Sequence, residues 1–312
     1  MNLLEHRLLF VTGKGGVGKT TVAAALARLA ARSDKRVLVC EMDAKGSLAA
    51  AFETAPLAFA PRELSPNLFA MSMNTEDSLR EYLRLFVRIP FLGRIGPLAR
   101  TFDFVADAAP GVKEILAVGK LCYEVRERHY DLVVVDAEAT GHIVSQITAP
   151  RAINDLVQVG LVRDQTNWML DILEDAATTG VVVVTTPEEM PVIESVELIE
   201  RLRTTTKVAV AAVVANRVLP EPFGRGEQEI FERIDTVARP HVLAALGDAA
   251  GPVLDAAELA VSLRRNGATH LATLRASLPG DMLTIYVPEL YSRSGGGRAA
   301  ELVATALAEE LL

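Results

Sequence analysis

The sequence predicts an α/β fold built on a doubly wound, mostly parallel sheet. Seven apolar β segments are separated mostly by helical ones along the 312 residues, which is the alternation typical of such sheets. Most of these segments are continuous apolar runs, as expected for strands that are buried on both faces. Two of the runs end in acids, at Asp43 and Asp136, and the carboxyl ends of strands are where doubly wound folds bind their ligands.

The individual elements follow from the spacing of apolar residues. Continuous or β-branched apolar runs predict strands at 8–11, 36–43, 67–72, 131–136, 180–186, 207–215 and 282–287. Apolar side chains at helical spacing predict helices over 21–32, from 75 onward, within 147–178, from an opening at 187–189 through 202, within 220–278 and over 299–312.

A single α/β domain over 1–312 is expected at this length, with an inserted subdomain, because single hydrophobic cores stop growing at roughly 250–300 residues. Between 87 and 120, apolar residues and arginines are interrupted by prolines and glycines. This stretch carries more apolar surface than a simple crossover helix requires. We therefore predict a helical subdomain that is contributed by about 75–125 and 147–178.

The composition disfavours several classes of protein. A formal net charge of −8 argues against a general nucleic-acid-binding surface, and the acids within 299–312 argue against attraction of that helix to anionic lipid. No run approaches the roughly 18 apolar residues of a membrane-spanning helix. The first strand follows Met1 too closely for a cleavable signal. We expect a cytoplasmic protein that does not bind nucleic acid and is not stably inserted in a membrane.

A glycine-rich loop follows the first predicted strand. Gly13, Gly18, Lys19 and Thr20 satisfy the spacing G-x-x-x-x-G-K-[ST], and a helical pattern follows directly. In such a loop, backbone N–H groups and the helix N-terminus surround phosphate oxygens, the lysine reaches the β- and γ-phosphates, and the threonine hydroxyl ligates Mg²⁺. The sequence therefore predicts ATP and Mg²⁺ as cofactors, held by Gly13, Lys14, Gly15, Gly16, Val17, Gly18, Lys19, Thr20 and Thr21.

Two further polar groups are needed around the phosphates: an acid that holds Mg²⁺ through water, and a group that orients the attacking water. Asp136 fits the first role because it ends an apolar strand. Asp43 fits the second because a glycine-containing turn, 44–47, follows it and is placed to respond to the γ-phosphate. For each aspartate the alternative is a strand-terminal residue that caps a helix. Glu41 and Glu138 are weaker alternatives for these roles, and they are expected near the site rather than in it.

Together these segments resemble the arsenite-pump ATPase and guided-entry tail-anchored targeting family, within the larger group of deviant Walker A ATPases. Lys14, directly after the first glycine, marks the deviant loop; the alternative is a solvated lysine on a flexible loop. The segments 43–48 and 136–142 are similar to switch I and switch II of the family. Further similarity covers most of the chain, at 67–71, 110–114, 185–189 and the strand that ends at Asn216.

The resemblance implies a dimeric, Mg²⁺-dependent ATPase in which Lys14 crosses to the nucleotide of the partner subunit. Lys14, Lys19 and Asp43 form the expected catalytic set, with Asp43 activating water. Thr20 and, through water, Asp136 are expected to hold the metal.

The resemblance also implies a site for the base, and the chain departs from the family elsewhere. Asn216 is expected to recognise adenine, and Pro288 is expected to lie near the base. Residues 43–47 are Asp-Ala-Lys-Gly-Ser where the family usually has Asp-Pro-Ala-His-Ser or -Asn, and Glu-Ala occupies 138–139 where Ala-Pro is usual. We therefore expect slow or altered hydrolysis. The two cysteines are far apart, so we expect no zinc, iron–sulfur or arsenite site within one subunit.

Two functions follow as hypotheses. The first is a dimeric ATPase, a homodimer or a heterodimer with a paralogous ATPase, whose nucleotide-dependent closure controls binding of a hydrophobic client or partner protein. The client surface would lie on the apolar helical stretches 89–118 and 147–173, for which ordinary core packing is the alternative. The second is a weakly hydrolysing regulatory or scaffold subunit of a heterodimer with an active paralogue. A partition or membrane-oscillating ATPase is disfavoured by the acidic terminal helix.

Overall fold

The computed structural model describes residues 2–84, 111–156, 159–234, 238–247, 249–291 and 296–311. A single mixed sheet lies at the centre of the fold. In those ranges the sheet has eight strands: β1 (Leu8–Gly13), β2 (Val37–Glu41), β3 (Arg62–Ser65), β4 (Leu68–Ser72), β5 (Leu132–Asp136), β6 (Thr179–Thr185), β7 (Ala209–Val218) and β8 (Thr284–Pro288). Their order across the sheet is β3-β4-β2-β5-β1-β6-β7-β8. Neighbouring strands are parallel except for β3 and β4, so the predicted mostly parallel sheet is confirmed.

Helices connect the strands, and a short 3₁₀ turn at Leu3–Glu5 precedes β1. The described helices are α1 (Lys19–Arg32), α2 (Ser47–Ala51), α3 (Thr75–Tyr82), α4 (Val112–Arg126), α5 (Thr140–Leu156), α6 (Leu161–Leu173), α7 (Glu189–Thr205), α8 (Arg225–Arg233), α9 (Arg239–Leu246), α10 (Ala250–Ser277) and α11 (Gly297–Leu311). None of these helices combines the length and the apolar composition needed to cross a bilayer.

The sheet is covered on both faces, which completes the predicted doubly wound architecture. Side chains alternate along a strand, so that Leu9 and Val11 face a core shared with α1 and α11, whereas Leu8 and Phe10 face a second core shared with α4, α6 and α7. All four side chains are fully buried. Burial on both faces explains why the central strands are continuous apolar runs.

The edge strand β3 is missing from the sequence prediction. Its four residues are mostly exposed, because β3 ends the sheet and pairs only with β4. A turn at 66–67 joins the two strands, with Asn67 at a φ of 64°. A solvated edge strand carries no apolar run, so the predicted count of seven strands is wrong by one.

The predicted helical subdomain at about 75–125 and 147–178 is described only in part, because 85–110 lies outside the described residues. Several apolar side chains of its described helices are buried in the second core, namely Val118, Ile147 and Leu173. These three side chains are part of the core. Core packing is the alternative to a client surface that the sequence leaves open for these helices. The subdomain itself stays a prediction.

The parallel register brings three strand ends to one edge of the sheet. Val11 of β1 pairs with Asp136 of β5, and Glu41 of β2 pairs with the same Asp136. The glycine loop that follows β1 and the turn that follows β2 therefore meet at Asp136. This is the ligand-binding edge of a doubly wound sheet.

Candidate active site

The glycine loop leaves the carboxyl end of β1 and enters α1. Gly13, at the end of β1, and Gly18, directly before α1, have φ angles of 153° and 95°, which other residues rarely adopt. A Cβ atom at Gly13 would lie 2.1 Å from the Val184 carbonyl oxygen, and one at Gly18 would lie 2.4 Å from Asn216 Nδ2. These distances exclude a side chain, so the two glycines let the loop pack directly against β6 and β7.

Lys19 is the first residue of α1, two positions earlier than the predicted helix start. Its Nζ donates a hydrogen bond to the Lys14 carbonyl oxygen at 3.2 Å, so the ammonium group lies across the loop. Burial lowers the pKa of Lys19, and the charge of Asp136 opposes that shift. A partly buried ammonium beside a helix N-terminus favours the binding of a phosphate group.

Thr20 and Asp136 are in direct contact next to the loop. The Thr20 hydroxyl donates a hydrogen bond of 2.7 Å to Asp136 Oδ2, and Asp136 is only 6% exposed at the end of β5. Burial raises the pKa of Asp136 to about 6, while the Thr20 hydrogen bond and the charge of Lys19 act in the opposite direction. Hydroxyl and carboxylate oxygens are the ligands that Mg²⁺ prefers, so these residues fit the predicted metal.

Asp43 lies on the turn after β2 and forms an ion pair with Lys45. Their side chains are 44% and 70% exposed. The turn is sharply bent, because Ala44 and Gly46 have φ angles of 45° and 78°. Asp43 is therefore open to solvent at the edge of the sheet, with a lysine as its immediate partner.

Glu41 fixes this turn from the end of β2, where it is 2% exposed. Its carboxylate accepts hydrogen bonds from the backbone N–H of Gly46 at 3.3 Å, from that of Leu48 at 3.2 Å and from the Ser72 hydroxyl at 3.4 Å. The first two donors follow Asp43 in the chain, so Glu41 holds the backbone that carries Asp43. From the sequence, Glu41 is expected only near the site.

These groups surround a cavity of about 380 Å³, a volume within the range of small-molecule sites. Of the predicted site residues, it is lined by Gly15, Gly16, Gly18, Lys19, Thr20, Asp43 and Asp136. Glu41 and Glu138, which are expected near the site, also line this cavity. Gly13 ends β1 and Thr21 lies in the first turn of α1, on either side of the loop residues that line the cavity, and Val17 in the loop between them is 2% exposed.

Lys14 lies beside this cavity and contacts α7. Its Nζ lies 2.5 Å from Glu194 Oε1, with the two side chains 31% and 29% exposed. Glu194 Oε2 accepts a hydrogen bond of 3.4 Å from the hydroxyl of Thr140, the first residue of α5. Glu194 thus connects the loop to α5 within one chain. No local sequence pattern marks Glu194, because the contact depends on how α7 packs.

The two residues predicted to lie at the base are found on β7 and β8. Asn216 is 5% exposed, and its Nδ2 donates a hydrogen bond of 2.8 Å to the Val17 carbonyl oxygen. The observed contact anchors the loop, and the predicted recognition of adenine stays a prediction. Pro288 is exposed at the end of β8. A second cavity, of about 310 Å³, is lined by the chain neighbours of these two residues, Arg217 and Glu289.

Comparison with known proteins now identifies the family. The family profile described as anion-transporting ATPase matches residues 6–163 and 158–235, more than half of the chain. The chain belongs to the anion-transporting ATPase family. The resemblance predicted from the sequence is thereby confirmed. The matched residues include the glycine loop, Asp43, Asp136 and Asn216.

Curated relatives come from bacteria and eukaryotes. ATPase BagA of Mycobacterium tuberculosis is 32% identical over 225 residues, which cover 69% of this chain and 66% of the relative. ATPase ASNA1 homolog 1 of Paramecium tetraurelia is 32% identical over 168 residues, 51% of this chain and 50% of the relative. ATPase get3 of Schizosaccharomyces japonicus is 33% identical over 156 residues, 48% of this chain and 46% of the relative. The chain thus spans between about half and two thirds of their length.

Proposed function

We propose that the chain binds MgATP in the cavity at the glycine loop and hydrolyses it to ADP and phosphate. One observation carries this proposal: the 2.7 Å hydrogen bond between the Thr20 hydroxyl and the buried carboxylate of Asp136, directly beside Lys19. In P-loop ATPases, Mg²⁺ is held by a hydroxyl at the start of the helix that follows the phosphate loop and by a carboxylate at the end of a neighbouring strand. Family membership supports hydrolysis as the reaction.

The phosphates would be held by the loop backbone and by Lys19. Gly15, Gly16 and Gly18 line the cavity, so backbone N–H groups and the positive end of α1 are available to phosphate oxygens. Thr20 would hold Mg²⁺ directly, and Asp136 would hold it through water. Held by these residues, Mg²⁺ would neutralise the charge that develops on the β- and γ-phosphate oxygens.

Asp43 is the residue that we assign to the attacking water. It lines the same cavity as Lys19 and Thr20, and at 44% exposure its carboxylate is open to solvent. It orients a water whose oxygen bonds to the γ-phosphorus while the bond from phosphorus to the β–γ bridging oxygen breaks. ADP leaves with that oxygen, and the Asp43 carboxylate accepts the proton of the attacking water and passes it to solvent. A positioned carboxylate typically contributes 10²–10⁴-fold to such a step.

We assign the base of the nucleotide to the second cavity. It is lined by Pro187, Arg217 and Glu289, which follow or end β6, β7 and β8 at the carboxyl edge of the sheet. Asn216 and Pro288, the residues that the resemblance assigns to the base, directly precede two of them. The position at the ligand-binding edge supports this assignment.

We propose a dimer as the working unit, formed by two copies of this chain or by this chain and a paralogous ATPase. Lys14 supports the proposal, because it lies at the rim of the site and is held in the single chain only by a half-buried ion pair with Glu194 among the contacts described. In the dimer, Lys14 would exchange Glu194 for the phosphates in the partner subunit. Two-fold symmetry is the commonest arrangement of such pairs.

Nucleotide-dependent closure of this dimer is proposed to control binding of a hydrophobic client or partner protein. Ile147 and Leu173 of the predicted client surface are core residues. Leu156 and Val159, by contrast, are 82% and 81% exposed, more than the other large apolar side chains of the described chain. They support an apolar contact surface at the junction of α5 and α6.

The second candidate function is a weakly hydrolysing subunit that is paired with an active paralogue. One observation favours it: Lys45 forms an ion pair with the carboxylate of Asp43, the group that we assign to the attacking water. A carboxylate that is paired with a cation is less available to hold a water molecule. Single-turnover hydrolysis by the chain alone and in the presence of its paralogue distinguishes the two functions.

The nucleotide assignment is tested by equilibrium binding of a fluorescent ATP analogue in Mg²⁺. We expect Lys19→Ala and Thr20→Ala each to weaken binding by at least about tenfold. Lys207→Ala is the control for loss of a lysine elsewhere, because Lys207 precedes β7 at the opposite edge of the sheet; its side chain is 71% exposed and lies 3.7 Å from a carboxylate oxygen of Glu174. If Lys19→Ala bound the analogue as tightly as Lys207→Ala, the site assignment would be wrong.

A further inference from the structure

Lys45 extends from a fixed backbone at the edge of the cavity. The chain is bent on each side of it, at Ala44 and Gly46, and the N–H of Gly46 is held by the buried carboxylate of Glu41. The Lys45 side chain, by contrast, is 70% exposed. Its ammonium group can therefore change partners without movement of the turn.

Charges of both signs surround this ammonium group. The hydrogen bond and charge of Asp43, followed by the charge of Glu138, raise the pKa of Lys45, and Lys45 in turn helps to lower the pKa of Lys19. Lys19 and Lys45 line the same cavity as Asp43 and Asp136. Two ammonium groups directed at one cavity repel each other, and an anion bound between them removes that repulsion.

We propose that Lys45 contacts the γ-phosphate of ATP, leaving Asp43 when ATP binds and returning to it when the site holds ADP. The proposal rests on the MgATP function assigned to the cavity. An ion pair as exposed as that of Lys45 and Asp43 is weak in water, whereas the γ-phosphate offers several charged oxygens to a lysine. The γ-phosphate is the relevant group because Asp43 is assigned to the water that attacks it.

The exchange makes the state of Asp43 depend on which nucleotide is bound. With ADP, Asp43 stays paired with Lys45, and its carboxylate is engaged by a cation instead of by water. With ATP, Lys45 moves to the γ-phosphate, and Asp43 becomes available at the moment when the substrate is in place. Lys45 thus adds positive charge where negative charge develops during phosphoryl transfer, at a position where the family that the chain resembles usually has alanine.

The first test compares affinities for ADP and for the non-hydrolysable ATP analogue AMP-PNP, both with Mg²⁺. We expect Lys45→Ala to weaken AMP-PNP binding by about tenfold and to change ADP binding by less than about twofold. Lys45→Arg should keep most of the AMP-PNP affinity, and Lys207→Ala should change neither. An equal loss for both nucleotides, or no loss for AMP-PNP, overturns the proposal.

The second test releases Lys45 by removing its partner's charge. Asp43→Asn should tighten AMP-PNP binding, and the gain should disappear when Lys45→Ala is added, because the gain comes from the freed ammonium group. A gain of equal size in both backgrounds overturns the exchange.

Different results would contradict the MgATP function and the role of Lys45. Wild-type chain that binds neither nucleotide overturns the MgATP function and, with it, the role of Lys45. Wild-type chain that binds both nucleotides, together with Lys45→Ala that binds AMP-PNP equally well, overturns only the role of Lys45.

Discussion

Lys14 of the glycine loop and Glu194 of α7 form an ion pair, with 2.5 Å between Nζ and Oε1, inside a single chain. The same carboxylate accepts the hydroxyl hydrogen bond of Thr140 at the start of α5. Lys14, which is expected to cross to a partner subunit, is therefore bound within its own chain by Glu194. Glu194 also contacts the segment that follows Asp136. We infer that formation of the proposed dimer requires this ion pair to open.

Removal of Glu194 should therefore favour the dimer. Glu194→Ala frees Lys14, and a pair of this exposure is worth about 1 kcal/mol. We expect the association constant of the dimer in MgATP to rise roughly fivefold for each pair that opens, which is about 30-fold when both subunits carry the substitution. Sedimentation velocity over a concentration series measures it. Glu197→Ala, an exposed position on the same helix, is the control and should leave the constant unchanged. A weaker dimer in Glu194→Ala would contradict the inference.

The contact between Thr20 and Asp136 predicts a specific dependence on Mg²⁺. Asp136→Asn keeps the shape of the side chain and removes its charge, so we expect ATP affinity in Mg²⁺ to fall about 10–100-fold. In the presence of EDTA the variant should bind ATP at least as well as the wild type, because a buried negative charge near the phosphates has been removed. Thr20→Ser, which keeps the hydroxyl, should retain the Mg²⁺ effect, and Thr20→Val should lose it. A full Mg²⁺ effect in Asp136→Asn would exclude Asp136 from the metal site.

Glu41 should stabilise both the fold and the turn that carries Asp43. Glu41→Ala leaves the N–H groups of Gly46 and Leu48 without their acceptor, so we expect a loss of about 1–3 kcal/mol in the free energy of unfolding. Urea denaturation measures the loss, with the exposed Glu76→Ala as control. Hydrogen exchange should become faster at Gly46 and Leu48 in particular. Unchanged exchange at these two amides would show that Glu41 does not hold the turn.

The sequence predicts the parts of this site that lie close together in the chain or at strand ends. The loop from Gly13 to Thr21 is one contiguous motif, and Asp43 and Asp136 end apolar strands that a parallel sheet must bring together. Glu194 could not be predicted, because it lies 180 residues from Lys14 and its helix shows only an ordinary amphipathic pattern. The role of Glu41 depends on a left-handed bend at Ala44, for which alanine gives no signal.

The fold shows the same division between local pattern and tertiary context. Buried strands with apolar residues on both faces are visible in the sequence, whereas β3 has polar residues and gains its conformation from pairing with β4. Apolar spacing also cannot tell a client surface from a core, because both need one apolar helix face. Val118 and Leu173 prove to be core, while Leu156 is exposed.

The two cysteines should be chemically inert in the folded chain. Cys40 of β2 and Cys122 of α4 both lie fully buried in the second core, and burial raises the pKa of each thiol well above its ordinary range. Because the thiolate is the reactive form, we expect no reaction with a disulfide reagent such as dithionitrobenzoate in native buffer. Both thiols should react once the chain is unfolded in guanidinium chloride. Rapid reaction of the native chain would contradict the packing of this face of the sheet.

Single-turnover hydrolysis of ATP by the purified chain in Mg²⁺ tests the central claim most directly. The account predicts that the wild type converts bound ATP to ADP, and that Asp43→Asn binds ATP but hydrolyses it at least about 100-fold more slowly. Lys19→Ala serves as the background without a functional site. The account is contradicted if Asp43→Asn hydrolyses ATP at the wild-type rate, or if the wild type forms no more ADP than Lys19→Ala.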